Sequence, residues 1–380
     1  MRVDRIWEFL QRLSPLTRSC LLTELERLEM CGVDMPGTAD LQARLRAELR
    51  PDGPNEAPTP AKYFFAPLEP LLVAGAPEHA NTGRIGRTSL TPIWEWINRD
   101  LLPIMARDYE DQMRGFIASN KAKEAQQTAA VFQTKVAKSL EGNLASAEGA
   151  ERARTKLASY TASPSVYGDL VKIMGALRAR EALAGFGKAL PDKIPKFDDA
   201  QVDKIMGLLD AFRKKDPDAV PFALALVAGR LKTPRELIRL ATKPARSRRA
   251  VDVAATPYAI SVSMVLDQID DKRIALRVAL KKNRVVAGRD ILADIDSTEA
   301  AIQAGIREFA ASEWGARLRD IRAKIVADVE VEVGRFPAEL GHILQLRGAR
   351  GQGLLSGLVW KGRDAVSDSA AFCKRLIGQT

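Results

Sequence analysis

One stretch of the chain, residues 256–280, constrains the fold more than any other. Its apolar residues recur at helical spacing, on a stripe so wide that other helices must cover it. Thr256-Pro257 has the composition of a helix start, a hydroxyl cap followed by proline at the first helical position. About 25 residues of helix would span roughly 37 Å, which predicts the central rod of a bundle. The stripe contains Tyr258, Val262, Val265, Leu266, Ile269, Leu276 and Leu280.

The charged residues of this stretch are expected on its remaining, solvated surface, and only Arg273 interrupts the apolar row. The expected surface residues are Asp267, Asp270, Asp271, Lys272 and Arg277. Asp267 and Asp271 are one helical turn apart, as are Asp290 and Asp294, and such pairs could hold a divalent cation or divide acid and base roles. The favoured interpretation is a solvated face whose carboxylates pair with Arg and Lys.

Composition extends the helical prediction to the whole chain. Of 380 residues, 46% are hydrophobic, 28% are charged and only 6% are aromatic, and alternating strand-like runs are almost absent. We therefore predict an all-α protein, a multi-helix bundle of mostly antiparallel helices. The net charge of +10 permits an acidic partner, but the positive residues are mixed with negative ones, as on solvated helix faces.

Turn-rich and polar stretches divide the chain into six predicted regions. The 119–160 region is polar, with a narrow apolar row, and is expected to be a long helix or a partly disordered linker. The regions are a short-helix unit at 1–50, a Pro-rich linker at 51–62, a helical region with a Trp-containing helix at 63–118, the polar region at 119–160, the main helical bundle at 161–334, and a Gly/Arg-rich tail at 335–380. Within the bundle, a helix over 289–311 is expected to break near Asp296-Ser297.

The residues usually needed for catalysis are not arranged in a recognisable motif. The two histidines, His79 and His342, lack the spacing of zinc ligands, and no nucleophile or phosphate-loop motif is present. The chain is thus expected to have no cofactor and no catalytic residues. Three widely spaced cysteines, a charged N-terminus and no long apolar run predict a cytoplasmic protein without a membrane span.

The tract 84–105 is the first candidate for a partner-binding surface. Ile93, Trp96, Ile97, Leu101 and Ile104 are predicted to form a buried row, with a kink at Pro103.

Trp94 points away from that row, near Arg84 and Arg87. Tryptophan beside arginine is typical of an interface hot spot, so these three residues are the candidate partner contacts. The favoured interpretation is that both tryptophans are part of the core, and a partner contact at Trp94 is the alternative.

Two basic clusters flank the central helix and are the candidate phosphate contacts. They are Arg246, Arg248 and Arg249 before it, and Lys281, Lys282 and Arg284 after it. Binding of single-stranded nucleic acid would require aromatic residues between these basic ones, and none is present. The favoured interpretation is that these loops are solvated, and nucleic-acid binding stays an alternative.

Several segments resemble a family of uncharacterised all-helical proteins from alphaproteobacteria. They are YFFAPLEPLLV, GRIGRTSLTPIWEWINRDLLP, TPRELIRLATK, ATPYAISVSMVLDQID and SEWGARLRDIRAKI, within residues 60–335. The resemblance implies an all-helical fold and brings no activity or site residues with it.

Together these observations favour a non-enzymatic cytoplasmic interaction, scaffold or regulatory protein that acts through helix surfaces and binds a protein partner or itself. The alternatives are a nucleic-acid-associated protein that uses the basic loops, and an enzyme whose site is not visible as a motif.

Overall fold

The structure, a computed structural model, describes residues 58–73, 82–281 and 285–335, together with ten scattered residues of the first 57. The predicted tail from 336 onward, both histidines, Lys282 and Arg284 lie outside the described residues. The chain divides into two compact units, Met1–Pro58 and a second unit that begins at Thr59. The predicted regions from 63 to 334 therefore fall within one unit.

The first unit has a small apolar core of its own. Leu10, Leu41 and Leu45 are buried, and four partly buried residues pack around them: Trp7, Leu21, Leu22 and Leu25. The Gln42 side chain donates a hydrogen bond to the Leu25 carbonyl at 2.9 Å. The ten described residues among the first 57 are helical, and the predicted short-helix unit at 1–50 lies inside this unit.

The second unit is helical apart from one parallel pair of two-residue strands, β1 (Leu72–Val73) and β2 (Ile85–Gly86), so the predicted all-α fold is confirmed for the described residues. Its α-helices are α1 (Pro60–Phe65), α2 (Leu90–Trp96), α3 (Pro103–Ala118), α4 (Ala122–Leu144), α5 (Ala147–Ala158), α6 (Val166–Arg178), α7 (Arg180–Ala189), α8 (Asp199–Lys215), α9 (Val220–Arg230), α10 (Arg239–Thr242), α11 (Ala250–Ala254), α12 (Ile260–Lys281), α13 (Val285–Gly305) and α14 (Glu313–Arg335). Short 3-10 turns lie at Ala66–Leu71, Arg87–Ser89, Pro217–Ala219, Pro234–Ile238 and Phe309–Ala311, and a π-helical turn lies at Ile97–Leu101.

Helix α1 begins inside the segment predicted as a linker, 51–62. The Thr59 hydroxyl caps it by accepting a hydrogen bond from the Lys62 amide at 3.2 Å, and Pro60 occupies the first turn. A side-chain cap followed by proline is a strong helix start, and here it outweighs the proline content of the preceding residues.

The polar region 119–160 forms two packed helices, α4 and α5. Asn120, with φ of 52°, makes the turn before α4 in the left-handed region that Asn tolerates better than most residues. Phe132, Val136 and Leu140 are buried on α4. The row of large residues is narrow, as the sequence indicates, but buried alanines beside it let the neighbouring helices approach closely, so α4 is part of the core. These alanines are Ala125, Ala129 and Ala137.

Helix α12 is the predicted central helix, and it packs against both α13 and α14. It begins at Ile260, three residues after the predicted first helical residue Pro257, and the Thr256 hydroxyl donates a hydrogen bond back to the Val253 carbonyl at 2.7 Å instead of capping α12. Every residue of the predicted stripe is buried, including Tyr258 just before the helix.

The prediction that the acidic residues of α12 are solvated is wrong for two of them. Asp267 and Asp270 are 4% and 3% exposed, and Arg273 is 5% exposed. Asp270 and Asp328 both accept hydrogen bonds from Arg273, at 2.7 and 2.6 Å, and Arg317 of α14 pairs with Asp267. The buried charges are compensated by cations, as burial of a carboxylate requires.

Helix α13 runs through Asp296-Ser297 without the predicted break. The hydroxyls of Ser297 and Thr298 both donate to the Asp294 carbonyl, at 3.0 and 2.8 Å, one turn earlier in the same helix. These residues therefore satisfy their side chains within the helix and have no need to interrupt it.

Candidate functional site

A cleft of about 420 Å³ is lined by the segment before β2, by residues around the Pro234–Ile238 turn, and by helices α12 and α13. Six charged side chains line it: Arg84, Lys232, Arg235, Asp271, Lys272 and Asp294. Four are cationic and two are anionic, so the wall has a formal excess of two positive charges. Because these residues are far apart in the chain, no local motif could have revealed the cleft.

One side of the cleft is a closed ion-pair cluster. Lys272 lies 2.7 Å from Asp294, and Arg235 lies 3.5 Å from the same carboxylate. Arg235 also donates to the Ser297 hydroxyl at 2.8 Å. The negative charge of Asp294 is thus compensated by two cations.

Arg84 has a different environment. No hydrogen-bond or ion-pair partner of its guanidinium is present among the described residues, and the preceding Gly83 has a left-handed backbone conformation. Burial lowers the pKa of Arg84, while the nearby carboxylates of Asp271 and Asp267 act in the opposite direction. Arginine remains protonated in proteins, so Arg84 is a partly buried cation with free donors.

The backbone that carries Arg84 is held firmly on both sides. Gly83 has φ of 67°, and a Cβ there would lie 2.2 Å from the Pro221 carbonyl oxygen, so only glycine fits. The Thr82 amide donates to buried Asp267 at 2.7 Å. These contacts fix where the Arg84 side chain starts.

A second buried carboxylate, Asp169, fixes the chain after Arg84. It accepts hydrogen bonds from the Gly86 amide at 3.0 Å and from the Ser89 hydroxyl at 2.7 Å. Lys172 pairs with Asp169 at 2.8 Å and donates to the Arg84 carbonyl at 3.0 Å. Both buried aspartates therefore anchor the segment that brings Arg84 to the cleft.

Arg87 and Trp94, predicted with Arg84 as partner contacts, do not share its surroundings. Arg87 pairs with Glu69 at 2.6 Å. Trp94 is only partly buried, but its ring lies 5.3 to 6.3 Å from four other rings, those of Phe64, Phe65, Tyr109 and Phe132. Such packing favours a core role for Trp94, and its role as a partner contact stays a prediction.

The residues Leu101–Met105, which the sequence assigns in part to a buried row, form an exposed apolar segment. Ile104 is 77% exposed and Met105 is 37% exposed, while Leu101 and Leu102 are partly exposed. The predicted burial of Ile104 is wrong because the helix does not continue. The π-helical turn and Leu102, with φ of −142° and ψ of 54°, break it before Pro103. The three preceding members of the row, Ile93, Trp96 and Ile97, are buried.

The first basic cluster gains one member in the structure. Arg246, Arg248 and Arg249 are exposed, and the Arg307 amide donates to the Arg248 carbonyl, which brings Arg307 beside them. Arg249 is compensated by Glu308 at 3.2 Å. Lys281 is exposed at the C-terminal end of α12, roughly 30 Å along the helix from Ile260 at 1.5 Å per residue.

The described residues contain no group of three or more His, Cys, Asp or Glu side chains arranged to hold a metal ion. Glu299 is the carboxylate whose pKa is raised, because it is buried, and it is paired with Arg322 at 2.5 Å. This ion pair connects Glu299 of α13 to Arg322 of α14, which favours a structural role for Glu299.

Comparison with known proteins adds no relative: no family model, curated protein or solved structure matches this chain. No helix among the described residues is long and apolar enough to cross a membrane.

Proposed function

We propose that this protein is a non-enzymatic cytoplasmic interaction protein of scaffold or regulatory type, which binds a protein partner or a second copy of itself through a helix surface. The observation that carries the proposal is the exposed apolar segment Leu101–Met105. Ile104, at 77% exposure, is the most exposed large hydrophobic residue of the described chain.

The chemistry of this segment is that of an interface centre with a polar rim. Leu101, Leu102, Pro103, Ile104 and Met105 are five consecutive apolar residues with exposed surface. Charged residues flank them on both sides: Arg99, Asp100, Arg107 and Asp108. Burial of apolar surface contributes about 25 cal/mol per Å², so covering this segment would favour association.

Both ends of the segment are attached to neighbouring structure. Asp100, just before it, accepts a hydrogen bond from the Tyr160 hydroxyl at 2.7 Å and lies 3.5 Å from Lys156. On the other side, Ala106 and Tyr109 of α3 are buried. A pre-formed surface loses little conformational entropy on binding.

The test compares Ile104→Glu with Val251→Glu, a matched change at a residue that is 72% exposed on α11. Sedimentation equilibrium measures self-association, and quantitative affinity capture from native lysate measures partner binding. We expect the wild type and Val251→Glu to behave alike, and Ile104→Glu to lose the association. Identical behaviour of all three proteins would contradict the proposal.

A second candidate function, nucleic-acid association, is favoured by one observation. Backbone contacts place Arg307 beside Arg248 and Arg249, which adds a fourth arginine to the cluster predicted from the sequence. Binding of a random DNA or RNA fragment that weakens steeply with salt, and that Arg246→Gln and Arg248→Gln reduce, would support this candidate. Absence of salt-dependent binding would remove it.

A further inference from the structure

We infer that the cleft lined by Arg84, Lys232 and the Lys272–Asp294–Arg235 cluster binds a small multivalent oxyanion, a molecule that carries phosphate or carboxylate groups. The inference concerns a different surface from Leu101–Met105 and does not depend on the proposed function.

The cleft has the size of a small-molecule site. Its volume of about 420 Å³ lies within the range of roughly 300–1,000 Å³ that is usual for ligand pockets. A small metabolite would fit, whereas a folded partner would not enter.

The charges on the wall select the sign of the ligand. Asp294 is compensated by Lys272 at 2.7 Å and by Arg235 at 3.5 Å. Arg84, Lys232 and Asp271 remain. Neither cation has an ion-pair partner among the described residues, although the carboxylates of Asp271 and Asp267 act electrostatically on Arg84. The whole wall, Asp271 included, keeps a formal excess of two positive charges, so it favours an anion over a cation.

Arg84 supplies the geometry for an oxyanion. A guanidinium presents several N–H donors in a planar fork, and this fork matches two oxygens of a carboxylate or a phosphate. The side chain is partly buried, so an anion bound to it would be screened less by solvent than one on an exposed arginine.

The fold also positions other hydrogen-bonding groups on the cleft wall before a ligand binds. The Lys232 amide donates to the Ile194 carbonyl at 3.1 Å, which fixes the backbone beneath that lysine. Thr233 and Gln268 line the cleft and offer neutral hydrogen-bonding groups. A site whose donors are already fixed loses little entropy when the ligand binds.

Isothermal titration calorimetry on the full-length protein tests the inference, with pyrophosphate and citrate as the two probes. We expect saturable binding of at least one probe with a Kd below about 1 mM. Binding of pyrophosphate alone would assign a phosphate ligand, and binding of citrate alone would assign a carboxylate ligand.

Two variants and one control locate the binding. Arg84→Gln and Lys232→Gln are each expected to weaken it by about tenfold or more, since each removes a charge-assisted hydrogen bond. Arg114→Gln is the control, because Arg114 is an exposed arginine of α3 paired with Glu110. The Arg114→Gln variant should bind the probes as tightly as the wild type does. If Arg84→Gln unfolds, which circular dichroism would show, Lys232→Gln decides the result. No saturable binding of either probe, or equal binding by all variants, would overturn the inference.

Discussion

The described residues of 60–144 and of 260–335 are mostly helical, but different interactions hold the two interiors together. In the first region, which we call the aromatic region, five rings pack with centroids 4.5 to 6.3 Å apart: Phe64, Phe65, Trp94, Tyr109 and Phe132. In the second, the ionic region, buried charges of α12 and α13 pair with α14: Asp267 with Arg317, Arg273 with Asp328, and Glu299 with Arg322.

The difference shows how each region reaches a defined structure. The hydrophobic contribution of the aromatic cluster is non-directional and scales with the apolar area that the rings bury. An ion pair between helices requires one geometry, because a shifted helix would leave a buried charge without its partner. We therefore expect the ion pairs to set the register of α14 against α12, and the aromatic cluster to contribute stability without setting register.

The largest effect is expected from Arg273→Leu in the ionic region. The change leaves buried Asp270 without the hydrogen bond at 2.7 Å that Arg273 donates. Removal of one partner from a buried pair costs about 3–5 kcal/mol, and urea denaturation measures the loss. The exposed pair of Arg114 with Glu110 is the control, and Arg114→Leu should change stability by less than about 1 kcal/mol.

The double variant Asp270→Leu/Arg273→Leu sharpens this result. It removes both buried charges of the pair, while Asp328, at 20% side-chain exposure, can turn toward water. We expect it to regain a large part of the stability that Arg273→Leu loses. If the double variant is no more stable than Arg273→Leu, the unpaired charge of Asp270 is not the cause of the stability lost in the single variant.

A somewhat smaller loss is expected from Trp94→Ala in the aromatic region. The ring contacts four others, so its removal should create a cavity and cost about 3 kcal/mol, less than for a fully buried tryptophan. If the variant instead keeps wild-type stability and loses partner binding, Trp94 is an interface residue, as the alternative from the sequence has it.

The smallest effect is a pH dependence confined to the ionic region. Burial raises the pKa of Glu299, so the folded state binds more protons than the unfolded state around that pKa. The contribution of Glu299 to stability is therefore fully present below the unfolded pKa and is lost as pH rises through the folded pKa. Denaturation of the wild type and Glu299→Gln between pH 4 and 7.5 should show the variant gaining stability relative to the wild type as pH rises. Equal pH dependence of the two proteins would contradict this.

The apolar pattern predicted the two regions unequally. In α12 the stripe from Val262 to Leu280 is buried as predicted, because helical spacing alone decides which side chains face the neighbours. Asp267 and Asp270 were assigned to the surface because a pattern of apolar residues cannot show where a charge will meet an arginine from a distant helix. Asp267 pairs with Arg317 of α14, and Asp270 pairs with Arg273, a residue of α12 that also pairs with Asp328 of α14.

The candidate sites were harder to predict for the same physical reason. Helical spacing predicts which side chains are buried only as far as the helix continues. The break at Leu102 ends that pattern, and Ile104, which the pattern places in the core, is exposed. The cleft gathers residues from 84 to 298, and only the fold places them together. Arg84 was singled out from the sequence, but as a partner contact beside Trp94, and its place in the cleft could not be seen.

The accessibility of position 104 in native lysate tests most directly the central claim, that a partner or a second copy covers the segment Leu101–Met105. In a background with Cys20, Cys31 and Cys373 changed to serine, Ile104→Cys and the control Val251→Cys are labelled with a maleimide, both as dilute purified protein and in native lysate. We expect both positions to react at similar rates when purified, since both parent residues are more than 70% exposed. In lysate, position 104 should react several-fold more slowly than position 251, because a partner or a second copy covers it. Equal rates at the two positions in lysate would contradict the account.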